Sequence, residues 1–175
     1  MTILGARYRV RQFALALGAS ISLEKTDILK EYLEGPQLGL FYTMPSMDQH
    51  HCLAVFRTLR EAGETDVSLL QAALLHDVGK AMGPVRIWHR VIAVLVNALA
   101  PQLWKRVDGE PGALRYPFYV HRQHATLGAE MARQADCSPQ VVWLIAHHED
   151  HPGEIQAGEK ESKLLAALQA ADEVN

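Results

Sequence analysis

The stretch Ala72-Ala73-Leu74-Leu75-His76-Asp77-Val78-Gly79-Lys80 constrains the fold more than any other. It is an apolar run that ends by presenting an imidazole, a carboxylate and, past one glycine, an ammonium. Carrying a carboxylate to the end of a buried segment costs free energy unless something neutralises it. A metal ion is the most economical neutraliser. Adjacent helical residues point about 100° apart, so His76 and Asp77 can face one ion together only near a helix end. Gly79 is expected to supply that end through its free φ. An ordinary polar helix terminus has the same local sequence, so the rest of the chain has to decide.

Apolar positions recur at helical spacing along the chain and no stretch alternates with period two, which makes the protein all-α. A chain of 175 residues is one domain by size and long enough to bury a core. The spacing predicts a short helix over 6–17 closed by Gly18, then a helix capped by Ser22 that runs to Gly35-Pro36. Pro45-Ser46 opens a third, with Ser46 as cap, Asp48 in the first turn, and Met47, His51, Val55 and Leu59 on one face. The central helix is expected from Asp66 to Lys80, and a very apolar one from the Gly83-Pro84 break to Ala100. Residues 107–117 read as a loop. Pro117 to Ala135 is helical again, Ser138-Pro139 starts a helix ending in His147-His148-Glu149-Asp150, and a last helix runs from Glu159 with Asp172 near its apolar face.

Charge and cysteine usage exclude some classes of function. The net charge is −3, which argues against a nucleic-acid groove; a small anionic substrate needs local positive charge instead. Cys52 and Cys137 lie far apart in a chain with no signal-peptide pattern, so free thiols in a cytoplasmic setting are expected. The apolar run from Val91 to Ala100 holds Asn97 and is stopped by Pro101, too short for a membrane span. It reads as a packed helix, the alternative being a membrane-surface or dimer face.

The nine histidines are not scattered. His50-His51, His76, His121 with His124, and His147-His148 with His151 fall at the ends or inner faces of separate helices. With Asp77 and Asp172 they form a donor set without thiolates, suited to Mn, Fe, Co, Ni or Zn. Magnesium is less comfortable among so many nitrogens. Asp48 and Glu149 are candidates to orient neighbouring imidazoles, and Arg86, Arg115 and Arg122 are candidates for phosphate contacts by position.

Three pieces in this order, Asp48-Gln-His-His51-Cys-Leu-Ala-Val55, then Ala-Ala-Leu-Leu-His76-Asp77-Val-Gly-Lys80, then a distal Asp172 in Ala-Ala-Asp-Glu-Val, resemble the HD-domain superfamily of metal-dependent phosphohydrolases. The resemblance covers roughly Ser46 to Asn175 and implies an HD-type helical bundle over 45–175, with 1–44 as an N-terminal helical extension. Two further pieces are similar to the longer, two-metal branch that includes the HD-GYP phosphodiesterases. They are His124-Ala-Thr-Leu-Gly128-Ala129-Glu130 and Ile145-Ala-His147-His148-Glu149. That branch's Gly-Tyr-Pro signature is absent, since the chain continues Asp-His-Pro-Gly-Glu, so hydrolysis of cyclic di-GMP is not implied.

The resemblance implies that His51, His76, Asp77 and Asp172 hold one divalent metal and that His124, His147 and His148 surround a second bridged by Asp77. A single ion with neighbouring histidines would have the same sequence. It further implies hydrolysis of a nucleotide or other small phosphoester, with Asp77 holding the attacking water, Lys80 meeting a substrate phosphate and His121 touching substrate. Two rivals share the scaffold: a di-iron oxygenase, and a non-catalytic module that senses a nucleotide or metal.

Overall fold

The computed structural model describes residues 23–83, 87–104, 107, 109–151, 155 and 157–175. Among these residues all regular structure is helical. Helices α1 (Leu23–Tyr32) and α2 (Gly35–Thr43) lead into α3 (Ser46–Glu61) and α4 (Val67–Leu75), and a short 3₁₀ turn (Val78–Met82) follows. Then come α5 (Ile87–Leu99), α6 (Pro101–Trp104), α7 (Tyr116–Gln134), α8 (Pro139–His147) and α9 (Glu159–Val174). The helix expected over 6–17 and the Ser22 cap lie outside the described residues.

Helix α4 is apolar nearly all round, which is why it sits at the centre. Leu69, Leu70, Ala72, Ala73, Leu74 and Leu75 are all buried, against α3, α8 and α9 and also against α1 and α2. Leu29 of α1, Leu33 just after it and Phe41 of α2 belong to the same apolar cluster. Asp66 starts α4 by accepting from the backbone amides of Ser68 and Leu69, at 3.0 and 3.2 Å.

Several elements differ from the sequence expectation. The central α-helix stops at Leu75 rather than Lys80: the His76 amide still bonds Ala72, but Asp77 turns to φ −95°, ψ 4° and the chain tightens into the 3₁₀ turn. Gly79 is not left-handed, the described glycines with positive φ being Gly35, Gly63 and Gly112. It is glycine because α7 crosses directly over it: a Cβ there would collide with the His124 carbonyl and stand 2.6 Å from the Gly128 amide. Gly35-Pro36 opens a helix instead of ending one, with proline in the first turn, where its missing N–H costs nothing. Ser46 is the first residue of α3 and makes no side-chain cap; the Pro45 carbonyl accepts from Asp48 and Gln49 instead. The buried stripe of α3 runs through Asp48, Cys52, Val55, Phe56 and Leu59, with His51 at its edge.

Helix α5 departs furthest. The sequence reads as a packed helix, yet Val91, Ile92, Leu95 and Leu99 are exposed while His89 and Ala93 face inward. By contrast the turn from α7 to α8 is tight, with Asp136 at φ 57° and the Ser138 hydroxyl accepting from the Val141 amide as expected. That tight turn returns α8 along α7, and the two helices pack together.

Candidate metal centre

Asp77 is the hub. Its side chain is 3 % exposed, and Nε2 of His124, His76 and His148 lie 3.3, 3.8 and 3.9 Å from its Oδ1. The other oxygen, Oδ2, takes the Lys80 ammonium at 2.5 Å and has His51 Nε2 at 3.9 Å. Asp172, on α9, closes the open side: its Oδ1 is 2.7 Å from His51 Nε2 and 3.6 Å from His76 Nε2. Donor atoms of His51, His76 and Asp77 lie within 4.8 Å of one another, as do those of Asp77, His124 and His148.

Local backbone geometry explains how three of these rings are aimed. His76 Nδ1 donates to the Ala73 carbonyl at 3.0 Å, His124 Nδ1 to His121 at 2.7 Å, and His148 Nδ1 to Ile145 at 2.8 Å. Each bond reaches back three residues. Occupying Nδ1–H in this way fixes the tautomer of the neutral ring and turns Nε2 toward Asp77. Nε2 atoms then meet closely in two pairs, His51 with His76 at 3.3 Å and His124 with His148 at 3.2 Å. In the second pair both Nδ1–H groups are committed to carbonyls, so lone pair meets lone pair in a buried site, and a shared cation removes the conflict. The donor set therefore fits divalent metal: imidazole nitrogens and carboxylate oxygens, with Cys52 Sγ meeting His76 on the Nδ1 side, 3.8 Å away and facing away from the hub.

Electrostatics agree with a site built for positive charge. Burial works against ionising both partners, yet Lys80, His76 and His124 hold the Asp77 carboxyl well below the usual carboxylate range. Burial also opposes protonation of His76, but the acidic groups around it, Cys52, Asp77 and Asp172, raise its proton affinity well above that of a free imidazole. His148 goes the other way: burial first, then the neighbouring His76 and His124, push it down to about 3, so its lone pair stays available. Asp172 is drawn far down despite its burial, by its bonds to His51 and His76.

The remaining expected residues are placed as follows. Lys80 is at the hub. His121 lends its carbonyl to His124 and is half-buried. His147 is turned to Asp150, with Nδ1 2.6 Å from its carboxylate and its ring against Trp143. Glu149 lies 3.7 Å from His124 Nδ1, and Asp48 is buried in the first turn of α3. Arg122 donates to the Val107 carbonyl, Arg115 is exposed, and Arg86 lies outside the described residues. Gln169 was not anticipated: its amide donates to the carbonyls of both His148 and Asp150, at 3.2 and 2.7 Å, tying the end of α8 to α9. Only its position three residues before Asp172, on the same helix, could have signalled it.

The hub is sealed by α4, α7 and α8 and opens where His51 and Asp172 stand, 24 % and 32 % exposed. A family model described as HD domain matches residues 49–175. No curated protein and no solved structure matches the chain.

Proposed function

The chain belongs to the HD-domain family, and from that premise we propose that it is a metal-dependent phosphohydrolase acting on a nucleotide or other small phosphoester. His51, His76, Asp77 and Asp172 would hold one divalent ion, and Asp77, His124 and His148 a second, with Asp77 shared between them. An ion bound there supplies Lewis acidity, lowering the pKa of a neighbouring water and offsetting charge on a phosphoryl oxygen.

The protein's own residues supply the rest. The three backbone carbonyls that accept from Nδ1 lock the imidazoles in orientation, so little reorganisation accompanies the reaction. Lys80, whose side chain is 15 % exposed, is a point charge within reach of the opening and suits a substrate phosphate. Substrate enters past His51 and Asp172, the exposed edge of the cluster. Metal-dependent hydrolysis is also what the similarity to the two-metal branch supports, without that branch's Gly-Tyr-Pro segment.

The observation that carries this reading is the convergence of imidazole Nε2 atoms from α3, from α7 and from the residues that end α4 and α8 on one buried carboxylate. Elemental analysis of the purified protein beside Asp77→Ala tests the site. About two transition-metal ions per chain, lost in the variant, support the shared dinuclear arrangement. A screen of phosphomonoesters and phosphodiesters with the metal-loaded protein tests the reaction. Oxygen uptake with a mixed-valence di-iron centre, and no phosphate release, would replace it with the oxygenase chemistry.

A further inference from the structure

Helix α5 and its continuation α6 turn several large apolar residues outward. Val91, Leu95, Leu99 and Leu103 recur every four residues and are 54, 52, 82 and 64 % exposed; Ile92, beside them, is 40 % exposed. The inward face is made of His89, which packs on Phe118 of α7, and Ala93. Among the described side chains of α5 a histidine and an alanine are buried while the large aliphatic ones face out, the reverse of what a helix on a globular surface does. Four large hydrophobes in series, with Ile92 beside them, form an apolar patch that needs a partner.

The sequence around the patch says what kind. Between residues 81 and 107 there are four cations, Arg86, Arg90, Lys105 and Arg106, and no acidic residue, which leaves 13 basic against 20 acidic residues in the rest of the chain. Trp88 and Trp104 stand near the two ends of the same segment, a placement common at membrane–water interfaces. Two candidate covers are disfavoured by charge. A second copy docking through the same segment would meet a stretch equally basic and equally free of acidic residues. Residues 1–22 of the same chain carry Arg7, Arg9 and Arg11 and no acid, so they repel the patch as well. An anionic bilayer surface complements both features, the exposed apolar stripe suiting its acyl chains and the basic, acid-free sequence around that stripe suiting its headgroups. No helix among the described residues is long and apolar enough to cross a membrane, so the contact would lie in the plane of the surface.

We propose that α5 and α6 form an in-plane docking face for an anionic lipid membrane. The face lies on the far side of α5 from α7, the helix that carries His124, and it is independent of the chemistry proposed for the metal centre.

Co-sedimentation of the full chain with vesicles tests the idea, using phosphatidylcholine alone and phosphatidylcholine mixed with phosphatidylglycerol. Binding to the anionic vesicles only is expected, weakening at high salt and falling about ten-fold or more in Leu95→Glu/Leu99→Glu. Lys105→Glu/Arg106→Glu, which keeps the apolar stripe, should weaken binding to the anionic vesicles as well. Both pairs lie outside the metal centre, so circular dichroism and metal content should match the parent and certify folding. Equal binding to both vesicle types, or no binding to either, would overturn the proposal. So would a dimer of the parent chain in size-exclusion chromatography that Leu95→Glu/Leu99→Glu dissociates, which would identify a second copy as the occupant.

Discussion

Gly79 lies directly beneath the backbone of His124. A Cβ at position 79 would overlap the His124 carbonyl and come within 2.6 Å of the Gly128 amide, and Gly128 in turn would place its own Cβ 3.1 Å from the Gly79 amide. The two glycines let the turn after His76-Asp77 and helix α7 touch at backbone distance. That contact is what brings His124 Nε2 to Asp77. Gly79→Ala should therefore cost about 1–3 kcal/mol through overpacking and displace α7, lowering both the melting temperature and the metal content. Gly39, exposed in α2 with nothing within 4 Å of its Cβ position, is the control: Gly39→Ala should stabilise by about 0.5–1 kcal/mol. Thermal melts of the two variants read both effects, and equal shifts would contradict the close-approach account.

Asp66 ties the start of the central helix to pH. Partial burial raises its carboxyl pKa, but the bonds from Leu69 and Ser68 and the Lys160 ammonium 3.2 Å away outweigh it, so the folded value lies below the ordinary one. A depressed carboxyl stabilises the fold at pH values above its unfolded pKa of about 3.9 and loses that contribution as pH falls through the folded value. Asp66→Ala should cost about 1 kcal/mol at neutral pH and progressively less in acid. Urea titrations at neutral and acidic pH measure the gap, and a gap that stays constant into strong acid would disprove the ionic part.

The two thiols should be silent in the native protein. Cys52 is fully buried and its pKa is raised, by burial first, with His76 acting in the opposite sense. Burial and the nearby Asp136 push Cys137 up to about 11. Since the thiolate is the reactive form, neither should react with a disulfide reagent at mildly alkaline pH, and both should react once the chain is denatured. A thiol that titrates rapidly in the folded protein would show that the packing around α3 or the α7–α8 turn is looser than described.

Much of this site was legible because its donors sit in short local patterns: His76-Asp77 after an apolar run, His124 one turn before Gly128, Ser138-Pro139 at a helix start. Local pattern did not give the way the central helix ends. The sequence suggests that Gly79 ends it by its own flexibility, whereas the glycine answers to α7, 45 residues further along, through the His124 carbonyl. The start of α2 was missed for a related reason, since Gly35-Pro36 suits a helix end and a helix beginning equally well. The outward stripe of α5 was unreadable because apolar spacing shows that a helix has a face but not which way it turns.

The same limit applies to His147 and His148, and it yields the sharpest test of the centre. Adjacent residues on a helix diverge by about 100° and can face one point together only near a helix end, and the sequence does not say whether the end of α8 turns both toward Asp77. In the structure His148 is 4 % exposed, donates from Nδ1 to Ile145 in the same manner as His76 and His124, and brings Nε2 to 3.2 Å from His124. His147 instead pairs with Asp150, both partly exposed. Exposed pairs of this kind contribute about 0–1 kcal/mol. His148→Ala should remove one of two metal ions per chain and with it any phosphohydrolase activity. His147→Ala should keep both ions and lose little stability. Metal content and phosphate release measured side by side decide the matter: if His147→Ala loses the ion and His148→Ala retains it, α8 must rotate when metal binds, and the ligand assignment would pass from the buried histidine to the exposed one.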